Sequence, residues 1–129
     1  MNIYQNQDYV NVSYVESPKH LVYEWTRNSI KLDEFKKMHL KALEVIKSKG
    51  VTSLITDSSK VLDVPFPENV EWLGTELIPM LAKAGVKKLI SIVPQTALSR
   101  LGTKSWQNKV LGIDMYDVKD MAEAIKLVN

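Results

Sequence analysis

Cysteine is absent from this chain of 129 residues, which excludes disulfides, thiolate nucleophiles and cysteine-based zinc sites. Glycine and proline are scarce, at five residues each, and leave little room for disordered segments. The longest apolar runs, such as 89–93, are far shorter than the roughly 20 residues of a membrane-spanning helix. The first ten residues, MNIYQNQDYV, lack the basic and apolar stretches of a secretory signal. We therefore expect a cytoplasmic protein without a membrane span.

Motifs of the common enzyme classes are also missing. The sequence contains no glycine-rich phosphate loop, no G-x-S-x-G and no H-E-x-x-H. The formal net charge is only +2, and the lysines cluster on one helix rather than in a basic arm or tail. We therefore predict a protein that is not an enzyme, that uses no metal or other cofactor, and that has no nucleic-acid partner.

What is present is a regular alternation of strand and helix patterns. Apolar and polar residues alternate over 9–16 and again over 20–27, and the residues 17–19 between them have turn chemistry. This pattern predicts an antiparallel hairpin. A helix from Leu32 to Lys49 follows, with Gly50 as its stop.

The middle of the chain contains a strand, a loop and a long helix. The strand runs from Val51 to Asp57, and the helix begins at Pro67 and ends at Gly85. Pro79 should kink this helix, because its ring clashes with the preceding turn. At 100° per residue, the face predicted to point inward consists of Val70, Leu73, Leu77, Met80, Leu81 and Ala84.

The last third of the chain is predicted to add two strands and two helices. A buried strand covers 87–93, a short helix covers 96–106, and a last strand lies within 110–116. Asp117 then caps a final helix. The order β-β-α-β-α-β-(α)-β-α predicts a single α/β domain over 1–129. Its mixed, mostly parallel sheet would have about five strands, with the hairpin at one end and helices packed against it.

Ligands of open α/β sheets bind outside the carboxyl ends of the strands, so we place candidate site residues there. One cluster of carboxylates, hydroxyls and an amine follows the central strand and could hold a small polar ligand or Mg²⁺. The alternative is that the aspartate and serines only stabilise the turn. The candidates at these strand ends are Asp57, Ser58, Ser59, Lys60 and, after the next strand, Thr96.

Two aromatic residues near the central helix and one histidine are further candidates. Trp72 points away from the predicted inward face, where it would anchor a protein partner unless another element covers it. Phe66 precedes the helix and would border any cavity under it. His39 falls on the inward face of the first helix, and we interpret it as a structural histidine because no catalytic or metal-ligand spacing accompanies it.

Two stretches carry a family resemblance. The first is E-W-L-G-T-E-L-I-P-M-L-A-K-A-G-V-K-K-L-I-S-I-V-P from Glu71 to Pro94, and the second is D-M-A-E-A-I-K-L-V from Asp120 to Val128. With the order of elements, they make the chain similar to the SpoIIAA-like branch of the STAS-like families, relatives of bacterial anti-sigma factor antagonists. The resemblance implies a STAS-like sheet in a β/α superhelical turn, with a fold also similar to CRAL-TRIO lipid-transfer domains. It implies no activity of its own.

Regulatory STAS domains carry a phosphorylated serine in D-S-S-G at the start of the second helix. In this sequence the letters Asp57-Ser58-Ser59 follow the strand directly, are succeeded by Lys60, and leave no hydroxyl at the helix start. We therefore predict that this phosphorylation switch is absent.

Three functional hypotheses follow. The first is a non-enzymatic regulatory module of the STAS-like type that docks a protein partner, with Trp72 as its anchor. The second is a domain that binds a small apolar molecule or lipid between the central helix and the sheet. The third is an enzyme that uses Asp57. A homodimer formed through an exposed helix face or the hairpin edge is a further expectation.

Overall fold

The computed structural model describes residues 2–6, 8–27, 29–61, 63, 65–93 and 107–128. The strands are β1 (Asn2–Asn6), β2 (Val10–Glu16), β3 (Lys19–Trp25), β4 (Ser53–Asp57), β5 (Lys88–Ile92), β6 (Gln107–Val110) and β7 (Ile113–Val118). The helices are α1 (Leu32–Lys49), α2 (Pro67–Trp72), α3 (Ile78–Lys83) and α4 (Met121–Val128), and a π-helical turn (Leu73–Leu77) joins α2 to α3.

All seven strands belong to one mixed sheet in the order β1-β2-β3-β4-β5-β7-β6. Strands β3, β4, β5 and β7 are parallel neighbours, whereas β1 and β2, β2 and β3, and β6 and β7 pair antiparallel. The predicted fold class and the N-terminal hairpin are therefore confirmed. The sheet is wider than the predicted five strands, because β1 and β6 extend it at its two edges.

The two extra strands are both polar. Their sequences, NIYQN and QNKV, lack the apolar alternation that marks a half-buried strand. Both strands pair with a neighbour close in sequence, and Ile3 and Tyr4 of β1 also pack against the core of the cavity face. Between β6 and β7 the chain reverses at Leu111 and Gly112, whose φ angles of 52° and 85° are those of a two-residue hairpin turn.

Helices cover both faces of the sheet. Helices α1 and α3 and the π-helical turn pack on one face, here called the cavity face, which includes Leu21, Leu54, Met38, Leu77 and Leu81. Helix α4 packs on the other, here called the α4 face. Its buried members are Val22, Ile55, Ile90, Ile92, Val118 and Ala124. Successive strand residues alternate between the two faces, as the pleat requires.

The start of the final helix differs from the prediction. Asp117 lies inside β7, paired with Ser91 of β5, and burial raises the pKa of its carboxyl. The capping oxygen belongs to Asp120, whose Oδ1 accepts a hydrogen bond from the Glu123 backbone N–H at 2.9 Å. Parallel pairing with β5 extends the strand beyond the residues that alternation alone assigns to it. The predicted helix over 96–106, and with it the candidate Thr96, lies outside the described residues.

Candidate ligand-binding pocket

A cavity of about 270 Å³ lies between the sheet and the helices of the cavity face. Its floor comes from the middle strands, one wall comes from α1, and the opposite wall comes from α2, the π-helical turn and α3. The lining side chains are Tyr23, Trp25, Phe35, His39, Leu54, Thr56, Ser58, Pro65, Asn69, Val70, Leu73, Leu77, Ile78, Leu81, Leu89 and Ser91. Most of them are apolar, which is the usual composition of a small-molecule site.

The cavity has a side that faces solvent. Pro65 and Val70 line it and are both exposed, Val70 with 54% of its surface accessible. They flank the start of α2, on the side where the loop after β4 enters the helix. The cavity therefore opens near the carboxyl end of β4, where ligand sites of open α/β sheets are expected.

Aromatic rings surround His39 on the α1 wall. The centroid of its imidazole lies 4.5 Å from that of Phe35, 5.7 Å from that of Tyr23, 5.9 Å from that of Trp25 and 6.0 Å from that of Trp72. The sequence prediction of an inward His39 is confirmed, since only 7% of its surface is exposed.

The ring cluster keeps this imidazole neutral. Burial lowers the pKa of His39 to about 3, because the apolar surroundings disfavour the charged form. A base with so low a pKa is a weak proton acceptor at neutral pH. Its Nε2 is buried, and none of the described residues forms a hydrogen bond with it. His39 is therefore a neutral side chain of the lining with one buried polar atom that has no partner among the described residues.

Asn69, in the first turn of α2, is the second buried polar side chain of the lining. It is completely buried, and its Nδ2 donates a hydrogen bond of 2.7 Å to the carbonyl oxygen of Ile30. This bond fixes the orientation of the amide. The other amide atom, Oδ1, is buried without a hydrogen-bond donor among the described residues.

Two hydroxyls contribute a polar patch to the floor. Thr56 and Ser91 are register partners on the parallel strands β4 and β5, and the Thr56 hydroxyl donates to Ser91 Oγ at 3.2 Å. Ser58, just after β4, also lines the cavity, and its backbone N–H donates to the carbonyl oxygen of Ile92. These groups lie toward the carboxyl ends of the strands.

The helix over the cavity does not keep a regular α-helical register. The Ile78 N–H donates to the carbonyl oxygen of Leu73, five residues earlier, and so defines the π-helical turn just before Pro79. The Thr75 hydroxyl donates to the Glu71 carbonyl oxygen at 2.8 Å. The wide turn rotates the residues before it by about 100° relative to a regular helix, the angle of one residue.

This rotation corrects two predictions. Val70 was predicted to be on the buried face, but it lies at the cavity opening with 54% of its surface exposed, and the fully buried position belongs to Asn69. Trp72 was predicted to face outward, but it packs edge-on against Phe35 of α1 at 5.8 Å between centroids, and the ammonium of Lys36 lies 6.0 Å from its ring centroid. Helix α1 therefore covers Trp72. The residue packs beside the aromatic rings around His39 but does not line the cavity.

The candidate cluster after β4 is dispersed. Ser59 donates to Asp57 Oδ1 through its backbone N–H at 3.0 Å and through its hydroxyl at 2.7 Å, the geometry of a turn stabilised by its own aspartate. Lys60 and Phe66 are exposed and do not line the cavity. Of the cluster, only Ser58 reaches the cavity. In the part of the chain that the structure describes, no group of three or more His, Asp or Glu side chains is arranged to hold a metal ion.

Sequence reasoning did not identify Asn69, Thr56, Ser91 or Leu89 as site residues. A polar residue in the first turn of an amphipathic helix normally faces solvent, so Asn69 carried no signal. Thr56 and Ser91 interrupt two apolar strands on the same face. Their matching positions in neighbouring parallel strands are the one signal that would have placed polar groups on the cavity floor.

Comparison of the chain with protein-family models, with curated proteins and with solved structures found no match. The STAS-like resemblance therefore stays a prediction. Within the described ranges, none of the helices combines the length and apolar character needed to cross a bilayer.

Proposed function

We propose that this chain is a binding module for a small, largely apolar molecule, which occupies the cavity between the sheet and the helices α1 to α3. The observation that carries the proposal is a cavity of about 270 Å³ with an apolar lining and a side open to solvent. This volume lies near the lower end of the range of ligand pockets, roughly 300 to 1,000 Å³. Transfer of an apolar molecule from water into such a site is favourable.

The lining supports binding rather than a reaction. Its polar side-chain groups are hydroxyls, one amide, the indole N–H of Trp25 and a histidine whose pKa is lowered to about 3, and none of the lining side chains is a carboxylate or an amine. The third hypothesis, an enzyme using Asp57, gains no support from this geometry, because that carboxylate binds Ser59 and lies outside the lining.

A cavity-filling variant tests the proposal. Leu89→Phe adds volume on the cavity floor, whereas Leu40→Phe makes the same change on the exposed face of α1. We expect p-xylene to raise the melting temperature of the natural chain and of Leu40→Phe, and to have little effect on Leu89→Phe. Native mass spectrometry of the protein purified gently from its own cells should show extra mass that disappears on denaturation.

Equal responses of the two variants to p-xylene would contradict the proposal, because the probe would then bind elsewhere. A natural chain whose melting temperature does not change with p-xylene would contradict it as well.

Protein docking is a second candidate function. It is supported by two exposed apolar side chains and not by Trp72, which α1 covers. Phe66 and Val70 are four residues apart at the start of α2 and are 38% and 54% exposed. Phe66 directly precedes α2, its carbonyl oxygen accepts a hydrogen bond from the Val70 N–H at 3.2 Å, and Val70 lies at the cavity opening. If they bind a protein, Phe66→Ser with Val70→Ser should release a polypeptide that co-purifies with the natural chain, and Leu40→Ser should not.

A further inference from the structure

Two buried polar atoms, on side chains that line the cavity, lack hydrogen-bond partners among the described residues. They are Asn69 Oδ1 and His39 Nε2, on side chains that are 0% and 7% exposed, and both side chains line the same cavity. A buried polar atom left without a partner is unfavourable, so such atoms are normally satisfied by a protein group, a water or a ligand.

The hydrogen-bonding capacity of the two atoms limits which groups can pair with them. The amide orientation is set by the bond from Asn69 Nδ2 to the Ile30 carbonyl, so Oδ1 is available only as an acceptor. His39 Nε2 accepts or donates according to the tautomer. A hydroxyl or a primary amide satisfies both atoms, because each of these groups donates and accepts.

A charged group does not suit the site. The lining contains no lysine, arginine, aspartate or glutamate to neutralise a buried ion. A carboxylate would also face the Asn69 acceptor oxygen. Burying an ion without a counter-charge or compensating hydrogen bonds is strongly unfavourable.

We infer that the ligand of this pocket is an uncharged molecule with an apolar body and one hydroxyl or primary amide group, which hydrogen-bonds to Asn69 Oδ1 and His39 Nε2. This inference rests on the proposed function. It adds the head group of the ligand and the two side chains that select it.

Four compounds that share a 4-methylphenyl group and differ in the opposite substituent test the head group. They are p-xylene, 4-methylbenzyl alcohol, 4-methylbenzamide and 4-methylbenzoate. Their dissociation constants at pH 7 are measured by titration of the full chain, with NMR or tryptophan fluorescence as the signal. We expect the alcohol and the amide to bind at least tenfold more tightly than the benzoate, and several-fold more tightly than p-xylene.

Two variants test whether His39 Nε2 causes the preference for the alcohol. His39→Phe removes Nε2 and keeps a ring among its aromatic neighbours, so it should abolish most of the preference for the alcohol over p-xylene while p-xylene still binds. His20→Phe is the matched control. His20 is also buried, but its Nδ1 interacts with the Pro18 carbonyl at the hairpin turn, outside the cavity. This control should keep the preference.

The outcomes separate the two proposals. If none of the four compounds binds, the pocket proposal fails and this inference fails with it. If p-xylene binds but the benzoate binds as well as the alcohol, the pocket stands and the head group is wrong. If alcohol and p-xylene bind equally in both the natural chain and His39→Phe, buried water serves the two atoms and the inference is overturned.

Discussion

The two faces of the sheet are filled in different ways. On the α4 face, the buried side chains are aliphatic: Val22, Ile55, Ile90, Ile92, Val118 and Ala124. On the cavity face, aromatic rings enclose a neutral histidine, and a space of about 270 Å³ separates the helices from the strands. Close packing gives stability, whereas a cavity with buried polar atoms costs stability. The comparison separates a closely packed face from one with a cavity, where we propose that a ligand binds.

The largest expected difference between the faces comes from neighbouring residues of β5. Ile90 is fully buried on the α4 face, whereas Leu89 is half-buried and lines the cavity. Ile90→Ala should lower the free energy of unfolding by about 3 kcal/mol, and Leu89→Ala by about 1 kcal/mol, because Leu89 already borders empty space. Urea denaturation measures both values. Equal losses would remove the contrast between the faces.

The next largest effect is the dependence of stability on pH that His39, on the cavity face, contributes. In the unfolded chain His39 takes up a proton near its ordinary pKa of 6.5, but in the folded chain only near about 3. Between these values the unfolded state binds more protons, so stability falls as the pH is lowered. The loss from pH 7 to pH 5 should be about 2 kcal/mol.

Urea denaturation at both pH values measures this loss, with His39→Phe for comparison. The variant should be less sensitive to acid by about that amount, because other titrating groups contribute equally to both proteins. An identical pH dependence in the two chains would show that folding does not lower the pKa of His39.

The smallest effect comes from a position on neither face. Leu111 is 64% exposed and has a φ of 52°, a conformation that asparagine adopts at lower cost than leucine. Leu111→Asn should therefore raise the free energy of unfolding by about 0.5 kcal/mol without changing p-xylene binding. Leu40→Asn, at an exposed position of α1, should instead lose stability because asparagine is a weaker helix former. Thermal and urea denaturation of the two variants check the opposite signs.

The sequence predicted the middle of the sheet well. Strands β2, β3, β4 and β5 have the β-branched or alternating patterns that burial requires, and Pro67, Gly50 and Gly85 mark helix ends through their backbone preferences. The edge strands were missed because their sequences, NIYQN and QNKV, lack the alternation that marks a half-buried strand.

The pocket was less predictable than the fold. The second hypothesis placed a site between the central helix and the sheet, but its lining depends on side chains from elements far apart in sequence. Helical projection at 100° per residue assigned Val70 and Trp72 to the wrong sides, because projection assumes a regular register. Asp57, Ser58 and Ser59 at the end of β4 were predicted to form part of a ligand site. Asp57 and Ser59 instead bond to each other and stabilise the turn.

The π-helical turn also bears on how this chain should be compared with others. A π turn is equivalent to a single-residue insertion in an α-helix. A homologous helix that lacks this residue and keeps a regular α-helical register would still turn the counterpart of Asn69 toward the sheet, because the deletion and the loss of the π turn cancel. Chains that align here with a one-residue gap are therefore expected to keep the amide end of the pocket, whereas chains of equal length with a regular helix would present the counterpart of Val70 there instead.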